Sequence, residues 1–137
     1  MGKITCKFVR PDRLLFEGEV DSLVLVTESG ELGVWPMHSP LICALGDGVV
    51  RLHLGQEAGG GELHVIVMGG YAEVKDDQVI VLADHARRSD DIEENVVRKT
   101  RAKAVAARDQ FAPGDNRRLY YDNKIRWCDL LLSHVPA

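Results

Sequence analysis

An α+β chain whose two kinds of structure lie one after the other is predicted by three observations. Apolar residues alternate with a period of two, broken by frequent turn signals, up to about residue 85. Beyond that point the apolar spacing changes to three or four, and Ala112-Pro-Gly-Asp115 divides the remainder in two. The first pattern predicts an antiparallel β-sandwich or flattened barrel over residues 1–86. The second predicts a two-helix antiparallel hairpin over residues 87–137.

The strands follow in order. Ile4, Cys6 and Phe8 alternate with Thr5, Lys7 and Val9 until Arg10-Pro-Asp-Arg13 interrupts them. Leu14–Gly18 reads as a second strand and Ser22–Thr27 as a third, the latter apolar enough for burial on both faces. Leu32–Trp35 follows the Glu28-Ser-Gly30 turn and stops at Pro36, which has no N–H for a central ladder. Val50, Leu52 and Leu54 form one arm of a hairpin, Leu63, Val65 and Val67 the other, with a glycine-rich tip over residues 55–61. Gly69-Gly70 follows this arm as a bulge or a point of close packing. Tyr71–Val74 and Gln78–Leu82 flank a last turn at Lys75-Asp-Asp77.

In the second half, Asp90 and Asp91 stand three places before Glu93 and Glu94, close to a capping box. Ile92, Val96, Thr100, Ala104, Ala107 and Phe111 then share one helical face. The opposite face holds Arg98, Lys99, Arg101, Lys103 and Arg108. Asp115 stands ready to cap the next helix. There Tyr121, Ile125, Cys128, Leu132 and Val135 form a stripe widened by Leu119, Trp127, Leu130 and Leu131. The excess over what one partner helix covers marks Trp127 and the extra leucines as surplus for another surface.

Composition narrows the function. The chain has 137 residues, 45% apolar and 28% charged, with a net charge of −4. Residues 1–85 carry six Lys and Arg against thirteen Asp and Glu, a balance of −7, whereas residues 86–137 balance at +3. The basic tail interleaves its cations with carboxylates, which argues against a nucleic-acid surface. Cys6, Cys43 and Cys128 are odd in number and widely spaced, so neither a disulfide framework nor a zinc cage is expected. Met1–Cys6 lacks the apolar stretch of a secretion signal, and no apolar run approaches the ~20 residues that cross a bilayer. Direct membrane insertion is therefore not expected.

Chemistry finds few footholds. There is no Walker-type G-x-x-x-x-G-K-[ST] and no G-x-G-x-x-G. The five histidines include His53 and His64, which face each other across a predicted hairpin, but no H-x-H or H-E-x-x-H spacing supports a metal site. Ser29 and Ser39 lack the setting that exposes a nucleophile. No catalytic, metal or cofactor residue is expected. Ser29–Leu41 stands out instead. Gly30 and Gly33 permit unusual backbone, Pro36 and Pro40 fix the course of the chain, and Glu31, Trp35 and His38 ride on it. Such a segment is either an ordinary loop closing one end of the sandwich or a contact surface.

Gly30-Glu-Leu-Gly-Val-Trp-Pro-Met-His-Ser-Pro-Leu41 resembles the G-E-[LI]-G-[IV]-x-P-x-H-x-P-L signature of the ATP synthase epsilon subunit family. Met68-Gly-Gly-Tyr-Ala-Glu-Val74, Val79-Ile-Val-Leu-Ala-Asp84 and Ile92-Glu-Glu94 resemble further segments of that family in the same order. The resemblance implies a non-catalytic rotor subunit of an F-type synthase on the cytoplasmic face of the cell membrane. Its sandwich would bind the central-stalk subunit gamma and the c-subunit ring, with contacts at Gly30, Glu31, Leu32, Gly33, Pro36, His38 and Pro40. It further implies a hairpin that folds or extends and restrains ATP hydrolysis, its face of Arg98, Lys99, Arg101, Lys103 and Arg108 meeting the alpha–beta catalytic head. Two departures stand against the pattern. The I-D-x-x-R-A motif by which some members hold ATP is Ile92-Glu-Glu-Asn-Val-Val97 here, without the Asp or the Arg. The second helix carries Tyr120, Tyr121 and Trp127 in place of an alanine- and leucine-rich segment. A stand-alone sandwich that binds other proteins, outside any rotor, is the alternative reading.

Overall fold

The computed structural model describes residues 2–135, which divide into two compact units, one ending at Arg88 and the other beginning at Ser89. The first contains seven strands: β1 (Ile4–Arg10), β2 (Arg13–Thr27), β3 (Gly30–Val34), β4 (Leu41–Ala44), β5 (Asp47–Leu54), β6 (Glu62–Lys75) and β7 (Gln78–Arg88). The second contains α1 (Glu94–Arg108) and α2 (Arg117–Leu132).

Strands β1, β7, β6, β5 and β2 neighbour one another in that order, and β1 also pairs with β2, so the five close into a ring. Strand β3 hangs on β2 and β4 on β6. Every pairing is antiparallel except β1 with β7, which run parallel. The inner faces supply the core: Ile4, Cys6 and Phe8 from β1, Leu23 and Leu25 from β2, Val50 and Leu52 from β5. Each such side chain contributes about 1.5–3 kcal/mol on full burial, so the sandwich is stable through its own interior. Burial pushes the Cys6 thiol up to about 12, which leaves it inert as a nucleophile.

The alternation predicted for the strands holds, but it changes phase inside three of them. In β2 the inward residues pass from Val20 to Leu23, across a register shift between Val20 and Ser22. In β6 they pass from Val67 to Ala72, and in β7 from Ala83 to Ala86. The changes in β6 and β7 fall opposite each other, since Met68 pairs with His85 and Gly70 with Ala83. At this level β6 also exchanges neighbours. It leaves β5 after Met68 and takes up β4 at Tyr71, while Gly70 accepts a hydrogen bond from the Leu45 N–H at 2.9 Å. A bend this sharp brings backbones together. Gly70 has φ 121°, and a Cβ there would collide with the Leu82 carbonyl oxygen and the Ala83 Cα.

Several boundaries differ from the sequence expectation, each for a physical reason. Leu14–Gly18 and Ser22–Thr27 are one bent strand, because a bulge absorbs the polar break instead of a turn. Strand β4 was not anticipated; its four residues are too short to show a period. Strand β7 runs through Arg87 and Arg88, paired with Ile66 and Val65, so these arginines belong to the sheet and not to the helical hairpin. Ser89–Asp91 forms a 3-10 turn, and α1 starts at Glu94 with no side-chain cap, so Asp90 and Asp91 do not cap it. The buried stripe of α1 runs through Val97 and Ala104, leaving Val96 exposed, and that of α2 runs through Ile125, Cys128 and Leu131. In α1 the shift is confined to Val97 in place of Val96, whereas Ala104 lies on the expected face. In α2, Ile125 and Cys128 lie on the expected stripe and Leu131 is buried in place of its neighbour Leu132, because adjacent apolar residues leave periodicity no way to choose between them.

Gly70→Ala is expected to lower unfolding free energy by roughly 2–5 kcal/mol, combining positive-φ strain with a backbone collision. Gly60→Ala, at φ 68° with open space around it, should cost only about 1–2 kcal/mol. Urea denaturation of the two variants checks the difference; equal losses would show that the bend at Gly70 is not as close as described.

Candidate functional site

The segment singled out by sequence joins two strands that flank the closed ring. Gly30, Glu31, Leu32 and Gly33 lie in β3, while Pro36, His38 and Pro40 lie in the connection from β3 to β4. Gly30 has φ 121°, which closes the turn after Glu28-Ser29. The Thr27 hydroxyl donates to the Gly30 carbonyl at 2.7 Å and accepts the Ser29 N–H at 3.1 Å, which stiffens that turn. Leu32 turns inward onto the core. Gly33 leaves room for its neighbour: the Trp35 indole lies back over the glycine with 59% of its surface exposed, and a Cβ at position 33 would push the indole outward.

Glu31 is not a free carboxylate. Arg51 of β5 reaches across β2 and donates to Glu31 Oε2 at 2.7 Å. The pair is partly exposed and contributes at most about 1 kcal/mol, so its effect is on position more than on stability. Beyond β3, the His38 N–H donates to the Trp35 carbonyl at 3.2 Å and closes a turn over Pro36 and Met37. His38 Nδ1 lies 2.7 Å from the Ser39 carbonyl oxygen, which only accepts, so Nδ1 carries the proton. The turn between β6 and β7 supports this connection from below. Asp77 Oδ1 accepts the Met37 N–H at 2.6 Å, and its backbone carbonyl accepts the Thr5 N–H at 2.9 Å.

A second surface was missed by sequence. Ile42 of β4, Tyr71 of β6, Ile80 and Leu82 of β7 and Leu14 of β2 all stand on the outer face of the ring, with Ile42 72% and Tyr71 63% exposed. Registers place Ala44, Tyr71, Leu82, Val9 and Leu14 in one cross-strand row, and Ile42 and Ile80 in another, on either side of Glu73. The available signal was Val79-Ile-Val-Leu82, an unbroken apolar run in a strand whose outer face needed polar residues only if it met water.

In the helical unit the predicted cationic face is divided. Arg101 donates to Asp129 of α2 at 2.5 Å, and Arg108 bonds Asp122 at 3.3 Å as well as Asp109 at 3.1 Å. Arg98 pairs with Glu94 four residues earlier. Lys99 and Lys103 project into solvent with no ion pair among the described residues. The loop between the helices is held by Arg118, which donates to the Arg108 and Phe111 carbonyls at 3.1 and 2.6 Å. The Arg117 guanidinium lies 4.4 Å from the Phe111 ring, which stacks on Tyr121. The N-cap position of α2 is Asn116, which makes no side-chain cap bond; Asp115, expected there, lies just before it, accepting the Arg117 N–H at 2.9 Å and pairing with its guanidinium. Among the described residues no cluster of three or more His, Cys, Asp and Glu side chains forms a metal site. His53 and His64 do not face each other; both approach Glu62, at 3.2 and 2.7 Å. No helix among the described residues is long and apolar enough to cross a membrane.

Residues 3–89 match the family profile described as ATP synthase, Delta/Epsilon chain, beta-sandwich domain. The chain belongs to this family. It is 34% identical over 117 residues to the ATP synthase epsilon chain of Leptospira borgpetersenii, covering 85% of this chain and 86% of that one. It is 43% identical over 96 residues to the epsilon chain of Dichelobacter nodosus, covering 70% and 65%. Among solved structures, a chain of the Euglena gracilis mitochondrial ATP synthase (OSCP/F1/c-ring) superposes with TM-score 0.71 at 22% identity, covering 96% of this chain and 80% of that one. A chain from the Tetrahymena thermophila central stalk and c-ring superposes with TM-score 0.57 at 13% identity, covering 98% of each. At these identities the two superpositions establish the shared fold, a seven-stranded sandwich followed by two helices.

The guanidinium of Arg117 and its N–H hold the Asp115 carboxyl down to about 2. A folded pKa below the unfolded value means that the Asp115–Arg117 interaction is fully effective above about pH 4 and is lost as pH falls towards about 2. Circular dichroism is expected to show α2 fraying across that window, and the pH response should shrink in Asp115→Asn. An identical acid response in the variant would remove Asp115 as its cause.

Proposed function

We propose that this chain is the non-catalytic central-stalk rotor subunit of an F-type ATP synthase, coupling rotation of the c-ring through gamma to ATP synthesis. The observation that carries the reading is the family match over residues 3–89, which includes both surfaces of the sandwich. The edge from Gly30 to Pro40 faces the ring, with Glu31, Gly33, Pro36 and His38 as its contacts. The apolar face of Leu14, Ile42, Tyr71, Ile80 and Leu82 receives gamma, since an exposed apolar sheet of this kind gains by being covered. A closed ring of strands packed at interior density carries torque without yielding. The subunit sits at the membrane through the complex, on its cytoplasmic face, and inserts nothing itself.

The hairpin is the regulatory part. It exchanges between folded and extended forms and restrains ATP hydrolysis, with Lys99 and Lys103 free to meet acidic segments of the alpha–beta head, while Arg101 and Arg108 are committed to α2. Exchange of this kind requires two packings within a few kcal/mol. No ATP is held at residues 92–97, where the charge that would meet a phosphate is missing.

Two measurements bear on this reading. The full chain should be retained by purified gamma together with detergent-extracted c-ring, and Tyr71→Asp should lower retention by gamma roughly tenfold, the effect of about 1.4 kcal/mol. A chain that is a folded monomer indifferent to both would be a stand-alone binding module. Deleting residues 89–137 should raise ATP hydrolysis by the reconstituted complex several-fold without loss of assembly. The cut spares Arg88, whose guanidinium donates to the Leu15 carbonyl at 2.7 Å. Unchanged hydrolysis would remove the inhibitory role.

A further inference from the structure

Near the tip of the β5–β6 hairpin, two imidazoles close on one carboxylate. His53 and Glu62 stand opposite each other across the two strands, and His64 follows Glu62 two places on, on the same face. His53 Nε2 lies 3.2 Å from Glu62 Oε1 and His64 Nε2 lies 2.7 Å from Oε2, so each oxygen has its own ring. A carboxylate oxygen only accepts, so the nitrogens facing it carry protons, and Nδ1 of each neutral ring is left to take up another. The His64 hydrogen bond above all, then the charges of His53, His64 and Arg51, holds the Glu62 carboxyl below its usual range. Glu62 therefore keeps its charge while imidazoles gain or lose theirs.

Arg51 ties this cluster to β3. It stands opposite His64 in the register of β5 and β6, it donates to Glu31 Oε2 at 2.7 Å, and its charge also acts on Glu62. Two carboxylates thus compete for one guanidinium. With both rings neutral, Glu62 draws on Arg51 as Glu31 does. With the rings protonated, Glu62 has nearer counter-charges, and the new cation opposite Arg51 repels the guanidinium towards Glu31. Other charges stand around the cluster. Lys3 and Asp21 pair at 3.3 Å beside Gly55, where the tip begins; Glu57 lies in the tip; Arg87 of β7 stands opposite Ile66, two places beyond His64. Of the side-chain types in this group, imidazole is the one that ordinarily changes charge between about pH 5 and 8.

We propose that His53, His64 and Glu62 form a proton-operated control on the Arg51–Glu31 pair. As the rings gain protons, Glu62 is neutralised in place and Arg51 settles on Glu31; as they lose them, Arg51 is shared between the two carboxylates. A partly exposed pair fixes position more than it adds stability, so the effect is to stiffen β3 around Glu31 at low pH and to loosen it as pH rises through the imidazole range. The control is complete within this chain and needs no partner to operate.

Nuclear magnetic resonance of the full chain between pH 8.0 and 5.5 tests this, following Arg51 Nε, the His53 and His64 rings, and amide exchange at residues 31–33. In the wild type, the Arg51 signal should move in step with the ring signals. Exchange at 31–33, corrected for its intrinsic rate, should slow about threefold towards pH 5.5, within what a partly exposed pair supplies. The side chains concerned are partly exposed, so they can be replaced without disturbing the interior. Glu62→Gln, which no longer competes for Arg51, should show at pH 8.0 the Arg51 signal that the wild type shows at pH 5.5, with no further response. His53→Gln combined with His64→Gln should instead keep the wild-type pH 8.0 signal throughout. An Arg51 signal that ignores pH in the wild type would overturn the proposal, as would a response that survives loss of both rings. A response lost with the rings but kept in Glu62→Gln would overturn the part assigned to Glu62.

Discussion

Everything in the sandwich depends on how five strands close into a ring while keeping their apolar residues inside. A flat strand with strict alternation cannot follow such a course; it must bend, and at the bend its phase must change. Here that happens in β2 beside Asp21, in β6 at Gly69-Gly70 and in β7 near Asp84. The glycine pair makes it possible, because Gly70 lets the β6 backbone lie against the Leu82 carbonyl. The same bend frees the C-terminal half of β6 to take β4, and β4 is one of the two strands between which the segment from Gly30 to Pro40 runs. A local backbone event thus sets the position of the edge from Gly30 to Pro40.

The edge itself is over-determined. Thr27 braces its first turn, Arg51 holds Glu31, Gly33 seats Trp35, and Asp77 anchors Met37. These supports come from four different strands or turns, so the segment is as stiff as the ring behind it. The helical unit is built differently. Its two helices bury small stripes, and its exposed ion pairs hold the helices in register at modest gain.

Much of this was legible in the residues and some was not. Alternation in Ile4–Phe8 and Val50–Leu54 identified strands because one face meets water. The division into sandwich and hairpin was equally plain from the change of period. The continuity of β2 was hidden, since a bulge and a turn look alike when both are marked by polar residues. The stripe through Val97 was misplaced onto Val96, as two adjacent valines offer two faces of nearly equal apolarity. The capping role of Asp90 and Asp91 failed because a 3-10 turn consumed those residues before the helix began. The segment 30–41 stood out by composition, yet nothing local announced that its central methionine would take positive φ or that Asp77 would reach it. Contacts at a separation of forty residues leave no periodic trace.

The most direct test of the account is hydrogen–deuterium exchange of the chain alone and in the assembled synthase, followed at the amides of residues 31–41 outside Pro36 and Pro40. The account predicts strong additional protection at Met37, His38 and Ser39 on assembly. Equal exchange of these amides in the free and assembled states would contradict it, because the edge would then remain open to water in the working complex.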